Sequence, residues 1–186
     1  SLNHVICHGI PSDRKLVNGD ILNIDVTTIV DGWYGDTSRM YTVGKLSVKA
    51  KKLVDITFET MWRGIEQVKP GNTLGDIGHA MQSFAEKNRC SVVKDFCGHG
   101  LGKIFHDAPN VLNYGKPHEG LVLEPGMFFT LVLEAVLEKI LRSLLLATGF
   151  LLFIFNTSSE NFYISEENLL TTIRTQDITT TSYNLL

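Results

Sequence analysis

The sequence predicts a mixed α/β (α+β) domain followed by a C-terminal tail that is Leu-rich and then Ser/Thr/Asn-rich. Three observations predict it. Residues 21–30 (ILNIDVTTIV) open with alternating apolar and polar side chains and run into Asp31-Gly32, a hairpin signal. Residues 47–68 and 73–88 change to helical spacing. Glycine and proline, which punctuate compact folds, stop near residue 130: fifteen of sixteen glycines and all five prolines lie before it.

The elements follow in order. Leu22, Ile24 and Val26 share one face of the first strand, and Asn23, Asp25 and Thr27 the other, the pattern of a half-buried strand. Residues 33–43 supply the returning strand. Val54, Phe58, Met61, Ile65 and Val68 step by four and three, predicting a helix ended by Pro70-Gly71. Thr73 with Asp76 resembles a capping box, and Leu74, Ile77, Met81 and Phe84 mark the buried stripe of a second helix. Residues 91–95 read as a short strand, 97–109 as irregular Gly- and His-rich chain, and 127–133 as a closing strand.

The tail differs in kind. Leucine numbers ten in the first 130 residues and thirteen in the last 56. The first 130 residues carry 14 basic and 14 acidic groups, so the whole net charge of -3 falls in the last 56. The expected division is a first domain over 1–130 and a divergent tail over 131–186. Residues 131–146 read as helical, and 143–155 are an uncharged run of thirteen residues, short of the ~20 a membrane span needs. A buried helix or a segment not native to the fold fits it better than membrane attachment. Residues 157–186 show no periodicity and read as largely disordered.

Composition bounds the function. Over 186 residues, 44% hydrophobic and 20% charged content is a globular balance. The net charge argues against a broad grip on nucleic acid. Cys7, Cys90 and Cys97 are odd in number with no CxxC pair, which argues for a reducing compartment. The polar opening SLNHV is no signal peptide, so the expectation is a cytoplasmic protein.

Asp25 and Asp36 are the most informative pair. With a two-residue turn at Asp31-Gly32, paired positions sum to 63, so Asp25 faces Ser38 and Asp36 faces Thr27. Both carboxylates then lie on one face as diagonal neighbours, about 7–8 Å apart at Cα, within reach of a shared cation. The bland reading is a solvated polar face. Three histidines in Gly-rich loops weigh against it: His8 in CHGIP, His99 in GHGLG and His106 in FHD. His4, His79 and His118 lack such a context and read as structural or exposed. Imidazole with carboxylate suits Zn, Mn, Co or Fe(II), and paired ions of this kind support hydrolysis.

CHGIP (7–11), GDILNIDV (19–26), DGWYGDTS (31–38), CGHGLG (97–102), FHDAP (105–109) and LEPGMFFT (123–130) occur in one order and spacing. Together they resemble type I methionine aminopeptidase, the bacterial form, over about residues 1–130. The resemblance implies an incomplete pita-bread fold, truncated at its N-terminus, with two divalent ions (Co, Mn, Fe or Zn) and excision of the initiator methionine from nascent polypeptides at the ribosome. The expectation is a monomer that binds neither nucleic acid nor membrane. By the match Asp25 chelates one ion, Asp36 bridges both and His99 binds the other. His8 and His106 contact substrate, His106 supporting the developing oxyanion. Two departures stand out. The family's Ile-Glu-Pro after Phe-Phe-Thr is replaced by Leu131-Val132-Leu133, so Val132 takes the position of a glutamate ligand, and the last bridging glutamate has no match. Glu134, two residues on, would point to the same face of a strand and offers a replacement. An inactive truncated relative lacking two ligand glutamates, and a non-enzymatic binding module, are the alternative readings.

Overall fold

A computed structural model describes residues 1–137 and 146–154, with side chains through Val132. Its elements are β1 (Ile21–Val30), β2 (Trp33–Thr42), α1 (Val48–Ile65), α2 (Leu74–Lys87), β3 (Cys90–Val92), β4 (Gly98–Gly100), β5 (Asp107–Val111), β6 (Phe128–Leu137) and β7 (Leu146–Ile154). β1 and β2 form a two-stranded sheet. The other sheet runs β3-β6-β4-β5, with β7 on the other edge of β6.

The hairpin has the register the turn dictates: Asp25 opposite Ser38, Thr27 opposite Asp36, Val30 opposite Trp33. Asp31 and Gly32 both take positive φ (52° and 79°), as a two-residue turn matched to strand twist requires. Burial runs opposite to the usual sense for an alternating strand. Asn23, Asp36 and Ser38 on the polar face are covered, whereas Ile24 and Val26 on the apolar face stay 44% and 45% exposed. Local bonding makes the polar face tolerable inside, since Asn23 Nδ2 donates to Ser38 Oγ at 3.2 Å.

α1 starts at Ser47, whose side chain accepts from the Ala50 amide. Its buried stripe is rotated from the predicted one, with Leu53, Ile56, Met61 and Ile65 inward and Phe58 about half exposed. The buried Thr57 and Thr60 hydroxyls donate to the Leu53 and Ile56 carbonyls at 2.8 and 2.6 Å, so they sit in the apolar interface without unpaired donors. α1 ends at Ile65, before the apolar Val68. The Thr73–Asp76 capping box opens α2 as predicted. Gly64 of α1 meets Met81 and Ile77 of α2, and a Cβ there would come within 2.7 Å of Met81 Sδ. Leu53, Ile65, Ile77, Met81, Cys90, Val111, Leu123, Phe129 and Leu131 make the core between helices and sheet.

Two sequence expectations are corrected. Residues 97–109 are not irregular throughout, because β4 and the start of β5 lie within them. Glycine is what admits a strand there: a Cβ on Gly98 would strike the Thr130 carbonyl, and one on Gly100 the Ala108 carbonyl. Residues 131–137 are strand rather than helix, since β6 passes residue 130 unbroken, and 146–154 are strand as well. Leu131 and Val132 are both buried, so this stretch faces protein on two sides and shows no alternation. The predicted disorder of 157–186 lies outside the described residues. Among the described residues, no helix is long and apolar enough to cross a membrane.

Candidate metal and hydrolytic site

The polar face of the hairpin looks toward β4 and the loop after it. The first twenty residues are tied beside that face. The Ser1 ammonium donates to the Asn23 carbonyl at 2.7 Å, and the Asn23 amide donates to the Ser1 carbonyl at 2.8 Å. Asp20 is the knot of this segment, accepting from Asn3 Nδ2 (2.7 Å), the Val17 amide (2.9 Å) and Arg14 (3.1 Å). These bonds hold the Asp20 carboxyl below its ordinary range, led by the Asn3 amide. His8 takes a left-handed backbone (φ 52°), unusual for a residue with a side chain, and its ring meets Phe96 edge-on at 6.1 Å.

β4 and β6 place His99. Its amide donates to Thr130 Oγ1 (3.0 Å), and that hydroxyl donates to the His99 carbonyl (3.3 Å). The ring Nδ1 lies 2.9 Å from the Gly100 carbonyl. A carbonyl only accepts, so Nδ1 is the donor and Nε2 is turned to Asp36, 3.7 Å from Oδ2. That separation is too long for a hydrogen bond. It does match two donors on one ion: ligands about 2.1 Å from a tetrahedral cation lie about 3.4 Å apart. Both side chains are buried.

The surroundings shift the acids and one imidazole. Burial, then the Asp25 charge, pushes Asp36 up to about 7, against the opposing hydrogen bond from Thr27. Asp25 is exposed along its strand, yet partial desolvation raises its carboxyl too, opposed by His8 and the N-terminal ammonium. His106 goes down, through burial and then through the neighbouring His99 and His8, and is held neutral. His106 packs against His99 with ring centroids 4.4 Å apart, Phe105 touches both rings, and Tyr34 stacks on Phe105 at 5.2 Å. His8, Asp25, Asp36, His99 and His106 are thus gathered into one neighbourhood.

Among the described residues, donors for a metal are fewer than the resemblance implies. Asp36 and His99 offer one oxygen and one nitrogen donor, 3.7 Å apart. Among the described residues, no three His, Cys, Asp or Glu side chains converge closely enough to hold one. Val132 is buried, apolar and without a donor. Glu134 sits on β6 opposite Thr148, and its side chain lies outside the described residues. Thr27, Tyr34, Phe105 and Thr130 all bear on the site, and sequence reasoning named none of them for it. Thr27 left a signal as the residue opposite Asp36, and Thr130 as a polar residue inside an otherwise apolar strand pattern.

The α/β frame with paired acids on a hairpin facing a Gly-flanked histidine defines a class. The chain belongs to metallopeptidase family M24, whose model matches residues 1–148. It is 62% identical over 130 residues to methionine aminopeptidase of Rickettsia prowazekii, covering 70% of this chain and 50% of that protein. With methionine aminopeptidase of Escherichia coli K12 it shares 50% identity over 132 residues, again 70% and 50% of the two chains. The chain therefore spans about half the length of the relatives it matches. The crystal structure of the Rickettsia prowazekii enzyme superposes with a TM-score of 0.79 at 49% identity, over 84% of this chain and 68% of that one. A Pyrococcus horikoshii prolidase matches at TM-score 0.68 and 22% identity, over 82% and 42%, and shares the fold alone. The fold is the pita-bread α/β fold of these peptidases.

Proposed function

We propose that the chain removes the N-terminal methionine from nascent polypeptides, as its methionine aminopeptidase relatives are named for doing. The observation that carries this reading is the pairing of buried Asp36 and His99 at 3.7 Å, with His8 and His106 beside them. A divalent ion (Co, Mn, Fe or Zn) held there would supply Lewis acidity for peptide hydrolysis. Asp36 and His99 would hold the cation. Asp25, in the next polar position along β1, adds negative charge that would also attract a substrate's terminal ammonium. Glu134 on β6 is the residue through which a further donor would come.

His8 stands near the position for the substrate amine or scissile nitrogen. His106, kept neutral, donates a hydrogen bond to the carbonyl oxygen as negative charge develops on it. The stacked Tyr34 and Phe105 rings pack beside His106 and give that flank an apolar wall. The substrate class is the N-terminus of a newly made chain, met as it leaves the ribosome.

The test is release of methionine from Met-Ala-Ser with added Co(II) or Mn(II). Turnover is expected in the wild type and is abolished in Asp36→Asn. Absence of turnover with either ion would leave an inactive relative of these peptidases.

A further inference from the structure

We infer that a second copy of this chain pairs with it edge to edge along β1, antiparallel and centred on Thr27. The joint is the open edge of the hairpin, on the side of β1 away from β2.

Alternation along β1 decides which backbone groups face that edge. The Asn3 amide donates to the Ile21 carbonyl at 3.0 Å and the Asn23 amide to the Ser1 carbonyl at 2.8 Å, so the odd-numbered residues of β1 point outward. Residues 1–3 thus add a short strand to the start of this edge. Past Asn23 the edge is bare. Among the described residues, no strand takes up the outward amides and carbonyls of Asp25, Thr27 and Ile29, because β1 and β2 form a sheet of two. Every residue from Ile24 to Val30 is exposed, so the edge is open to approach.

An unpaired edge of this kind is a template for another strand unless charge, proline or a bulge blunts it. From Ile24 to Val30 there is no lysine, no proline and no break in register, and Asp25 is the one charged residue. Ile24, Val26, Ile29 and Val30 add exposed apolar side chains along it. The stretch also fits itself. Residues 1–3 close the edge at Asn23 and the turn begins at Asp31, which leaves Ile24–Val30, whose midpoint is Thr27. A two-fold axis there sets Asp25 against Ile29 of the partner subunit, so the charge meets an apolar side chain and not its own copy. Ile24 then lies opposite Val30 of the partner subunit, and the outward backbone groups at 25, 27 and 29 all find partners. The joint is short beside the about 1,600 Å² of a stable interface, so the dimer forms in proportion to concentration. A monomer, as the sequence reading expects, would leave this edge bare.

The experiment is sedimentation velocity of the full chain over a wide range of concentration. A monomer–dimer equilibrium is expected, with dimer dominant at the upper end. Ile29→Pro removes an outward donor without touching the bonds to β2 and is expected to stay monomeric. Ile29→Asp sets a carboxylate opposite Asp25 of the partner subunit and should dissociate several-fold more readily, whereas Ile29→Lys sets an ammonium there and keeps the dimer. Circular dichroism confirms that each variant is folded, and the two charged variants suffice if Ile29→Pro is not. A monomeric wild type overturns the inference, and slow hydrogen exchange at its Thr27 and Ile29 amides would show the edge covered from within the chain. Dimer persisting unchanged in Ile29→Pro, or equal dissociation of Ile29→Asp and Ile29→Lys, also overturns it and places the joint elsewhere. Methionine release plays no part in the readout, so the proposed function stands or falls separately.

Discussion

Asp36 couples the site to stability. Its folded-state carboxyl holds a proton up to about 7, against an ordinary value of 3.8. Between those limits the folded chain binds more protons than the unfolded one, so stability falls as pH rises through the window. A shift of this size is a large stabilising contribution at low pH. The metal-free protein should therefore be more stable to urea at pH 5 than at pH 8, and Asp36→Asn should flatten that dependence. Divalent cation replaces the proton, so binding strengthens over the same pH range. A wild-type urea midpoint that is flat from pH 4 to 8 would rule out this account of Asp36.

Elements differ in how legible they were, for physical reasons. The hairpin register was readable because a two-residue turn fixes it, and the diagonal placement of Asp25 and Asp36 followed. Which face is buried was not readable, because His99 reaches the hairpin from β4, some seventy residues away in sequence. The stripe of α2 was readable, with Ile77 and Met81 buried and Leu74 and Phe84 packed against the core. That of α1 was right in period and rotated in phase, because Thr57 and Thr60 hide their hydroxyls in backbone bonds. Glycines on α2 carry a cost no pattern reveals. The 112–121 segment lies against α2, with the Gly75 amide donating to the Glu119 carbonyl at 3.0 Å and the His118 amide to Asp76 Oδ1 at 3.0 Å. A Cβ on Gly78 would strike the Tyr114 carbonyl and come within 2.8 Å of the Leu112 oxygen. Alanine there would gain about 1 kcal/mol of helix propensity. Displacing that backbone costs more, so Gly78→Ala should lose about 1–3 kcal/mol in urea unfolding. The exposed Ser83→Ala on the same helix should stay within about 0.5 kcal/mol. Equal effects at the two positions would show that the close approach is not tight.

At the scale of the molecule, β6 decides where the folded unit can be cut. Composition changes at residue 130, but the strand does not stop there. Its residues 135–137 pair with β3, Phe129 pairs with Gly100 of β4 beside His99, and β7 lies along its other edge. Phe129 and Leu131 are fully buried in the shared core. Ending the chain at 130 removes Leu131 and Val132, leaves β3 without a partner, and exposes the strand that clamps His99. Loss of one buried leucine costs about 2–5 kcal/mol, and the total stability of such a domain is about 5–15 kcal/mol. Adding the unpaired strand backbone, the deficit approaches the whole. Residues 1–130 alone should show no cooperative urea transition by circular dichroism, while residues 1–154 should keep one. A cooperative transition in the shorter chain with an unchanged midpoint would place the boundary at the compositional break and reduce β6 beyond it to an appendage.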